Sequence, residues 1–205
     1  MGLITVEEGR EYLPGVGTGS GDVAAIGRLI ERASSSIAAY LGYPTRSASL
    51  GPSLESYAYT LYSGIPGGCW VVEDGQALIL PARPITSITS IYDDPDLLTY
   101  GAAYLVTSSD YTYDAMAGRI FLLPTRTHGA FSSRTRAVKV AVTAGWTTIP
   151  DPIREACIRT CQAWWVSRRM GAGSDAPRSG PDGSLLPHEA RELLAPYHVA
   201  HGWVG

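Results

Sequence analysis

Cys69-Trp70-Val71-Val72-Glu73-Asp74-Gly75-Gln76-Ala77-Leu78-Ile79-Leu80 reads as a β-hairpin. Two apolar runs flank Asp74-Gly75, the dipeptide that a tight two-residue hairpin turn favours. The strand pattern continues on both sides, from about residue 56 to residue 143. Val138, Val140 and Val142 alternate with Ala137, Lys139 and Ala141, as a strand with one buried face requires. Residues 118–123 (Gly-Arg-Ile-Phe-Leu-Leu) predict another strand, closed by Pro124. Residues 84–91 place isoleucine at every third position, at Ile85, Ile88 and Ile91. Their β-branched composition predicts a strand that carries an irregularity.

Helical patterns bracket this region. Thr5 and Glu8 form a capping box, in which each side chain satisfies a free backbone donor of a short helix ending near Leu13-Pro14. A glycine-rich connector follows at residues 15–21. Asp22 is the expected cap of a longer helix with Val23, Ile26, Leu29, Ile30, Ala33, Ile37 and Leu41 along one face, and Gly42 and Pro44 stop it. Beyond the strands, Asp151-Pro152 opens a helix through Ile153, Ala156, Cys157, Thr160, Trp164 and Trp165 to about Gly171. Gly, Ser, Pro and Asp then dominate to residue 184, the composition of a linker. A last short helix, residues 187–194, precedes Ala195-Pro196-Tyr197 and a tail containing Trp203.

Each long helix has one apolar stripe and needs a partner, and the nearest candidate is the other. The expected class is therefore α+β: a small helical bundle frame with a large β-rich insertion between its second and third helices, and a tethered C-terminal helix. The boundaries read as 1–44 for the N-terminal helices, 45–148 for the insertion and 149–171 for the return helix. Residues 172–186 are the linker and 187–205 a docking segment.

Bulk properties narrow the function. The chain has 205 residues, 45% of them apolar, which is enough for a packed core. A formal net charge of −3 argues against a dedicated nucleic-acid binder. Lys139 is the only lysine and asparagine is absent, the mark of GC-rich codon usage. Cys69, Cys157 and Cys161 show no disulfide spacing, so a reducing compartment fits. No apolar run is long enough to span a bilayer, and the acidic N-terminus is not that of a signal peptide. A cytoplasmic origin is expected.

A site for chemistry is hard to find. The glycines of residues 15–21 lack the preceding strand and the Gly-Lys-Ser/Thr ending of a phosphate loop. Cys157, Cys161, His198 and His201 could in principle bind zinc, but Cys157 lies on the apolar helix face, where a thiol behaves as a small hydrophobe. His128 has no evident acid or nucleophile near it in sequence. Glu7, Glu8 and Glu11 read as a solvated helix face. No catalytic residue, metal or cofactor is expected. Arg154, Arg159, Arg168 and Arg169 make the return helix basic and suit pairing with carboxylates of a neighbouring subunit. Tyr57, Tyr59 and Tyr62 alternate as strand residues, with further tyrosines nearby that suit core packing and an interaction surface.

Several stretches in order carry a resemblance. They are Ala39-Tyr40-Leu41-Gly42, then Leu78-Ile79-Leu80-Pro81-Ala82-Arg83-Pro84-Ile85-Thr86-Ser87-Ile88, then Ala117-Gly118-Arg119-Ile120. Val138-Lys139-Val140-Ala141-Val142-Thr143-Ala144-Gly145-Trp146, Ile149-Pro150 with its helix, and Leu193-Leu194-Ala195-Pro196-Tyr197 follow. Together they resemble the head–tail connector (adaptor) proteins of long-tailed double-stranded DNA bacteriophages and gene-transfer particles. The resemblance implies a non-enzymatic virion neck protein assembled in the bacterial cytoplasm. It would form a heterologous ring of about twelve copies on the portal vertex after DNA packaging. The ring would give a platform for the stopper or tail-terminator protein. DNA would pass through without specific binding, since about twelve copies at −3 carry about −36, and no membrane is involved. Another tail-completion or baseplate part is the alternative, and a metal-dependent enzyme a remoter one. The implied portal-docking residues are Pro187, Leu193, Leu194, Pro196, Tyr197 and Trp203. The family often has arginine after Pro-Tyr, where this chain has His198. A linker of about 14 residues reaches roughly 20 Å, enough to carry the last helix off its own subunit. Leu185, Leu186, Leu193 and Leu194 are expected to be exposed unless a partner covers them.

Overall fold

Among the described residues, four helices and two four-stranded antiparallel sheets, with a two-stranded ribbon, make a mixed α+β chain whose strands lie between the helices. A computed structural model describes residues 2–15, 19–47, 50–52, 54–72, 74–96, 98–124, 128–169 and 186–198. The chain divides into a helical unit, Met1–Gly42 with Ile149–Gly205, and a β unit, Tyr43–Thr148. No helix among the described residues is long and apolar enough to cross a membrane.

In the helical unit, α1 (Val6–Tyr12) starts on the capping box that its sequence predicts. The Thr5 N–H donates to Glu8 Oε2 at 2.7 Å, and the Glu8 N–H donates to Thr5 Oγ1 at 3.2 Å. The Thr5 N–H and the Arg154 guanidinium hold the Glu8 carboxyl below the usual carboxylate range. Helix α2 (Ser20–Tyr40) begins earlier than a cap at Asp22 would allow. Gly19 takes the extended cap conformation, and its carbonyl accepts the Asp22 and Val23 N–H groups. Asp22 stands instead in the first turn, where a carboxylate offsets the positive end of the helix dipole. Ile26, Ile30, Ala33, Ile37 and Leu41 are buried, so the apolar stripe of α2 is the face it turns inward, but Leu29 is only half-buried and Val23, in the first turn, is exposed.

Helix α3 (Asp151–Arg169) buries Ile153, Ala156, Cys157, Thr160, Cys161, Trp164 and Trp165 and packs against α2. The pairing of the two apolar stripes is thus as their periodicity requires. The end of α1 is tied to α3 by Gln162 Nε2 donating to the Tyr12 carbonyl at 3.0 Å and Trp165 Nε1 to the Pro14 carbonyl at 3.2 Å. Helix α4 (His188–Leu194) and a 3-10 turn, Ala195–Tyr197, close the described chain. The linker between α3 and α4 lies almost wholly outside the described residues.

The β unit opens with the ribbon β1 (Thr45–Ser47) and β2 (Leu50–Pro52). The first sheet is built from β3 (Tyr57–Tyr62), β6 (Ile85–Asp93), β7 (Leu105–Val106) and β10 (Val138–Ala144), in the order β3-β10-β6-β7. The second is built from β4 (Trp70–Val71), β5 (Ala77–Ile79), β8 (Tyr111–Asp114) and β9 (Arg119–Leu122), in the order β4-β5-β9-β8. The hairpin expected at Asp74-Gly75 is the β4–β5 turn, with Gly75 at φ +69°. The irregular isoleucine strand is β6, whose pairing with β10 shifts register between Ala141 and Val142 and again between Thr143 and Ala144.

Both sheets bury one face in a single core: Leu61, Ile91, Val106, Val138, Val140 and Val142 from the first, Leu78, Ile120 and Leu122 from the second, with Phe131. Residues 80–85 carry the chain from the second sheet to the first. The Leu80 N–H donates to the Gly118 carbonyl at 2.7 Å, and the Ile85 N–H to the Ala115 carbonyl at 2.8 Å. The Gly145 N–H donates to the Pro84 carbonyl at 2.9 Å. The middle stretches of the resemblance therefore meet as the crossover and core strands of one unit. What they encode is a fold.

Candidate docking surfaces

The C-terminal segment does not stand clear of its own chain. Leu186, Ala190 and Leu194 fall at i, i+4 and i+8, one face of a helix, and that face is buried as α4 packs on α3. Leu194 is fully enclosed. The expectation that Leu186 and Leu194 stay exposed until a partner covers them is corrected: their own helical unit covers them. Pro187 and Leu193 are half-buried, Pro196 is exposed and Tyr197 half-buried. His198 packs at a tilt against Tyr40 of α2, with ring centroids 4.9 Å apart. Leu185, His201 and Trp203 lie outside the described residues. Between α3 and α4 is an open groove of about 390 Å³ lined by Glu155, Arg159, Glu189, Glu192 and Leu193.

The arginines of α3 also find partners at home. Arg154 donates to Glu8 of α1 and lies 3.8 Å from Asp151. Arg159 bonds Glu155 at 2.8 Å and lies 3.8 Å from Glu189 of α4. These pairs hold α1 and α4 to α3 within one subunit, and inter-subunit pairing is not needed to explain them. The side chains of Arg168 and Arg169 lie outside the described set.

Two candidates for chemistry resolve differently. Cys69, Cys157 and Cys161 are free and buried. Burial pushes the Cys69 thiol up to about 12. A hydrogen bond to Cys157, then burial, pushes the Cys161 thiol well up. Cys69 and Cys161 are therefore held as thiols, not nucleophilic thiolates. No group of three or more His, Cys, Asp or Glu side chains among the described residues is placed to hold a metal ion. His128, which has no acid near it in sequence, does have one in space. Its Nε2 lies 3.0 Å from Oδ2 of buried Asp93, which also accepts the Ser132 N–H at 2.9 Å. The His128 N–H donates to Asp110 Oδ2 at 3.2 Å. These bonds pin the segment around residues 128–132 to the end of β6 and to the residue that precedes β8. Two residues 35 apart in sequence give no signal that they will pair.

The outer face of the first sheet is only partly legible in the sequence. Register places Tyr62, Lys139, Tyr92 and Leu105 in one row across β3, β10, β6 and β7. The Lys139 ammonium lies 5.0 Å from the Tyr100 ring centroid and 5.8 Å from that of Tyr92, and the Arg136 guanidinium lies 5.3 Å from that of Tyr62. Tyr100 is held in place by its Oη, which donates to the Arg136 carbonyl at 2.6 Å. Fully buried Asp94 accepts from the Thr99 N–H, the Thr99 hydroxyl and the Tyr100 N–H, all on Oδ2 at 2.7–3.0 Å. Leu98, Tyr100 and Arg136 are the positive-φ non-glycine residues among those described, and all three frame this corner. Such backbone costs energy and persists only where its surroundings enforce it. Removing the Asp94 carboxylate leaves the Thr99 and Tyr100 donors without their acceptor. Asp94→Ala is expected to cost about 2 kcal/mol in urea unfolding and to loosen Tyr100.

No protein-family profile matches the sequence, and no curated protein does either. Solved structures do match. One is a chain of the virion of a native gene transfer agent particle, with a TM-score of 0.59 and 19% identity over 99% of this chain and 93% of that one. A second is a chain of the neck of an empty gene transfer agent particle computed with C6 symmetry, at 0.58 and 18% over 99% and 93%. A third comes from the neck of the native particle computed with C12 symmetry, at 0.54 and 17% over 98% and 91%. Across nearly its whole length, the chain shares its fold with components of gene transfer agent particles, two of them from structures of the neck.

Proposed function

We propose that this protein is a structural component of a virion neck, a connector that forms a homo-oligomeric ring. The observation that carries this reading is the fold shared over 98–99% of the chain with chains of neck structures computed with sixfold and twelvefold symmetry. A cyclic ring needs two different complementary faces on each subunit. A chain built of a helical unit and a β unit supplies chemically distinct surfaces. In this reading the ring sits on the portal vertex after DNA packaging, seats the stopper or tail, and lets DNA through without gripping it.

The C-terminal segment is proposed as the portal contact, in a form revised by its packing. Leu193, Pro196 and Tyr197 reach the surface with α4 in place, whereas Leu194 could serve only if α4 left α3. Negative-stain microscopy and sedimentation velocity of the full chain, alone and with portal, are expected to show closed rings. A chain that stays monomeric in both settings would refute the assignment.

A further inference from the structure

We propose that the tyrosine–cation face of the first sheet is one side of the subunit–subunit contact, and that it docks on the acidic α3–α4 groove of the next copy. This rests on the ring reading and names the surfaces that would build it. Arg136 and Lys139 have no carboxylate partner among the described residues; tyrosine rings hold them instead. Arg134, in the same turn, points its guanidinium at the Pro95 and Asp96 carbonyls. Three cations thus share one corner of a sheet face with Tyr62, Tyr92 and Tyr100, fixed by buried Asp94 and by strained backbone. Tyrosine and arginine are the residues that protein interfaces enrich.

The complement is on the same chain, on the other unit. Glu155, Glu189 and Glu192 line the α3–α4 groove against one guanidinium, Arg159. The side chains of Glu189 and Glu192 are 76% and 70% exposed, so two of the three carboxylates are largely available to a partner. Leu193 gives the groove an apolar element on which a tyrosine can rest. Two different, oppositely charged surfaces on each copy are what a heterologous, head-to-tail contact between copies requires. A polyanion such as duplex DNA is the competing occupant of the sheet face. The second copy is favoured because its acidic surface is present on this chain, whose net charge of −3 disfavours DNA.

A charge exchange tests it. One full-length variant carries Arg136→Glu with Lys139→Glu, and the other carries Glu189→Arg with Glu192→Arg. Arg136, Glu189 and Glu192 are exposed and Lys139 is half-buried on the sheet's outer face, and melting temperatures within a few degrees of the parent's confirm that each variant folds. Under conditions where the parent forms rings, each variant alone is expected to lose at least tenfold in assembled fraction. An equimolar mixture is expected to recover rings of alternating composition, because each altered face then meets its altered complement. Rings from either variant alone at the parent's level would overturn the proposal, as would failure of the mixture to recover them. Normal rings from Arg136→Glu/Lys139→Glu combined with lost binding of a duplex oligonucleotide would assign the face to DNA and also overturn it. A parent chain that forms no rings at all would refute the ring reading itself.

Discussion

Gly145→Ala is expected to destabilise the chain by about 3 kcal/mol or more, and to lower the urea midpoint without changing the slope. Two independent effects act at this residue. Its φ is +114°, a conformation that an L side chain rarely adopts. A Cβ there would lie 2.4 Å from the Glu55 carbonyl oxygen and 2.9 Å from Ser56 Cα, both backbone atoms that no rotamer change can move away. The close approach has a purpose. Gly145 bonds to Pro84, and beside it the Trp146 N–H donates to the Leu54 carbonyl at 2.8 Å and the Ser56 N–H to the Trp146 carbonyl at 3.0 Å. Three chain segments are joined at one glycine. Gly101 is the control, because its φ is −70° and a methyl group added there would meet nothing within 4 Å. Gly101→Ala is expected to shift stability by no more than about 0.5 kcal/mol. Equal effects at the two glycines would show that the joint at Gly145 is not tight.

Leu194→Ala should cost about 2–5 kcal/mol, the range for emptying a fully enclosed leucine site. Deleting residues 187–205 should cost at least as much, and should speed hydrogen exchange along α3 once α4 no longer covers it. The segment is thus part of the helical unit's core as well as a proposed contact. A truncated chain that fails to bind portal would not by itself identify an anchor, because its frame is weakened. Tyr197→Ala is the cleaner probe, since this residue is only half-buried and does not line the α3–α4 groove. An unchanged melting temperature for Leu194→Ala would mean that α4 is not seated in solution as it is here.

Features written in a few adjacent residues are legible in the sequence. The capping box at Thr5 and Glu8, the Asp74-Gly75 hairpin, the alternating valines of β10 and the apolar stripes of α2 and α3 all depend on local geometry. So does the irregularity of β6, because isoleucine at every third position cannot keep one face of a regular strand. Pairings between distant residues are not legible. Nothing near Arg154 in sequence points to Glu8, and nothing near His128 points to Asp93. Two sheets sharing one core look, strand by strand, like any run of strands. Leu186, Ala190 and Leu194 are the instructive miss. Their i, i+4, i+8 spacing is a buried stripe in its own right, masked by the linker-like composition in front of it. Of the proposed surfaces, the tyrosines stand out in the sequence as an interface resource, but the row of Tyr62, Lys139 and Tyr92 exists only through strand register.

The single lysine has a practical consequence. Arg and Lys differ in chemistry as well as in shape: only the lysine amine reacts readily with acylating reagents. With one lysine in 205 residues, at position 139, such a reagent has one side-chain target, in the middle of the tyrosine row. The chain therefore carries a built-in reporter. A fall in the rate at which Lys139 is acylated, read by mass spectrometry, between the free chain and the proposed ring reports that this face has been covered, without introducing any label.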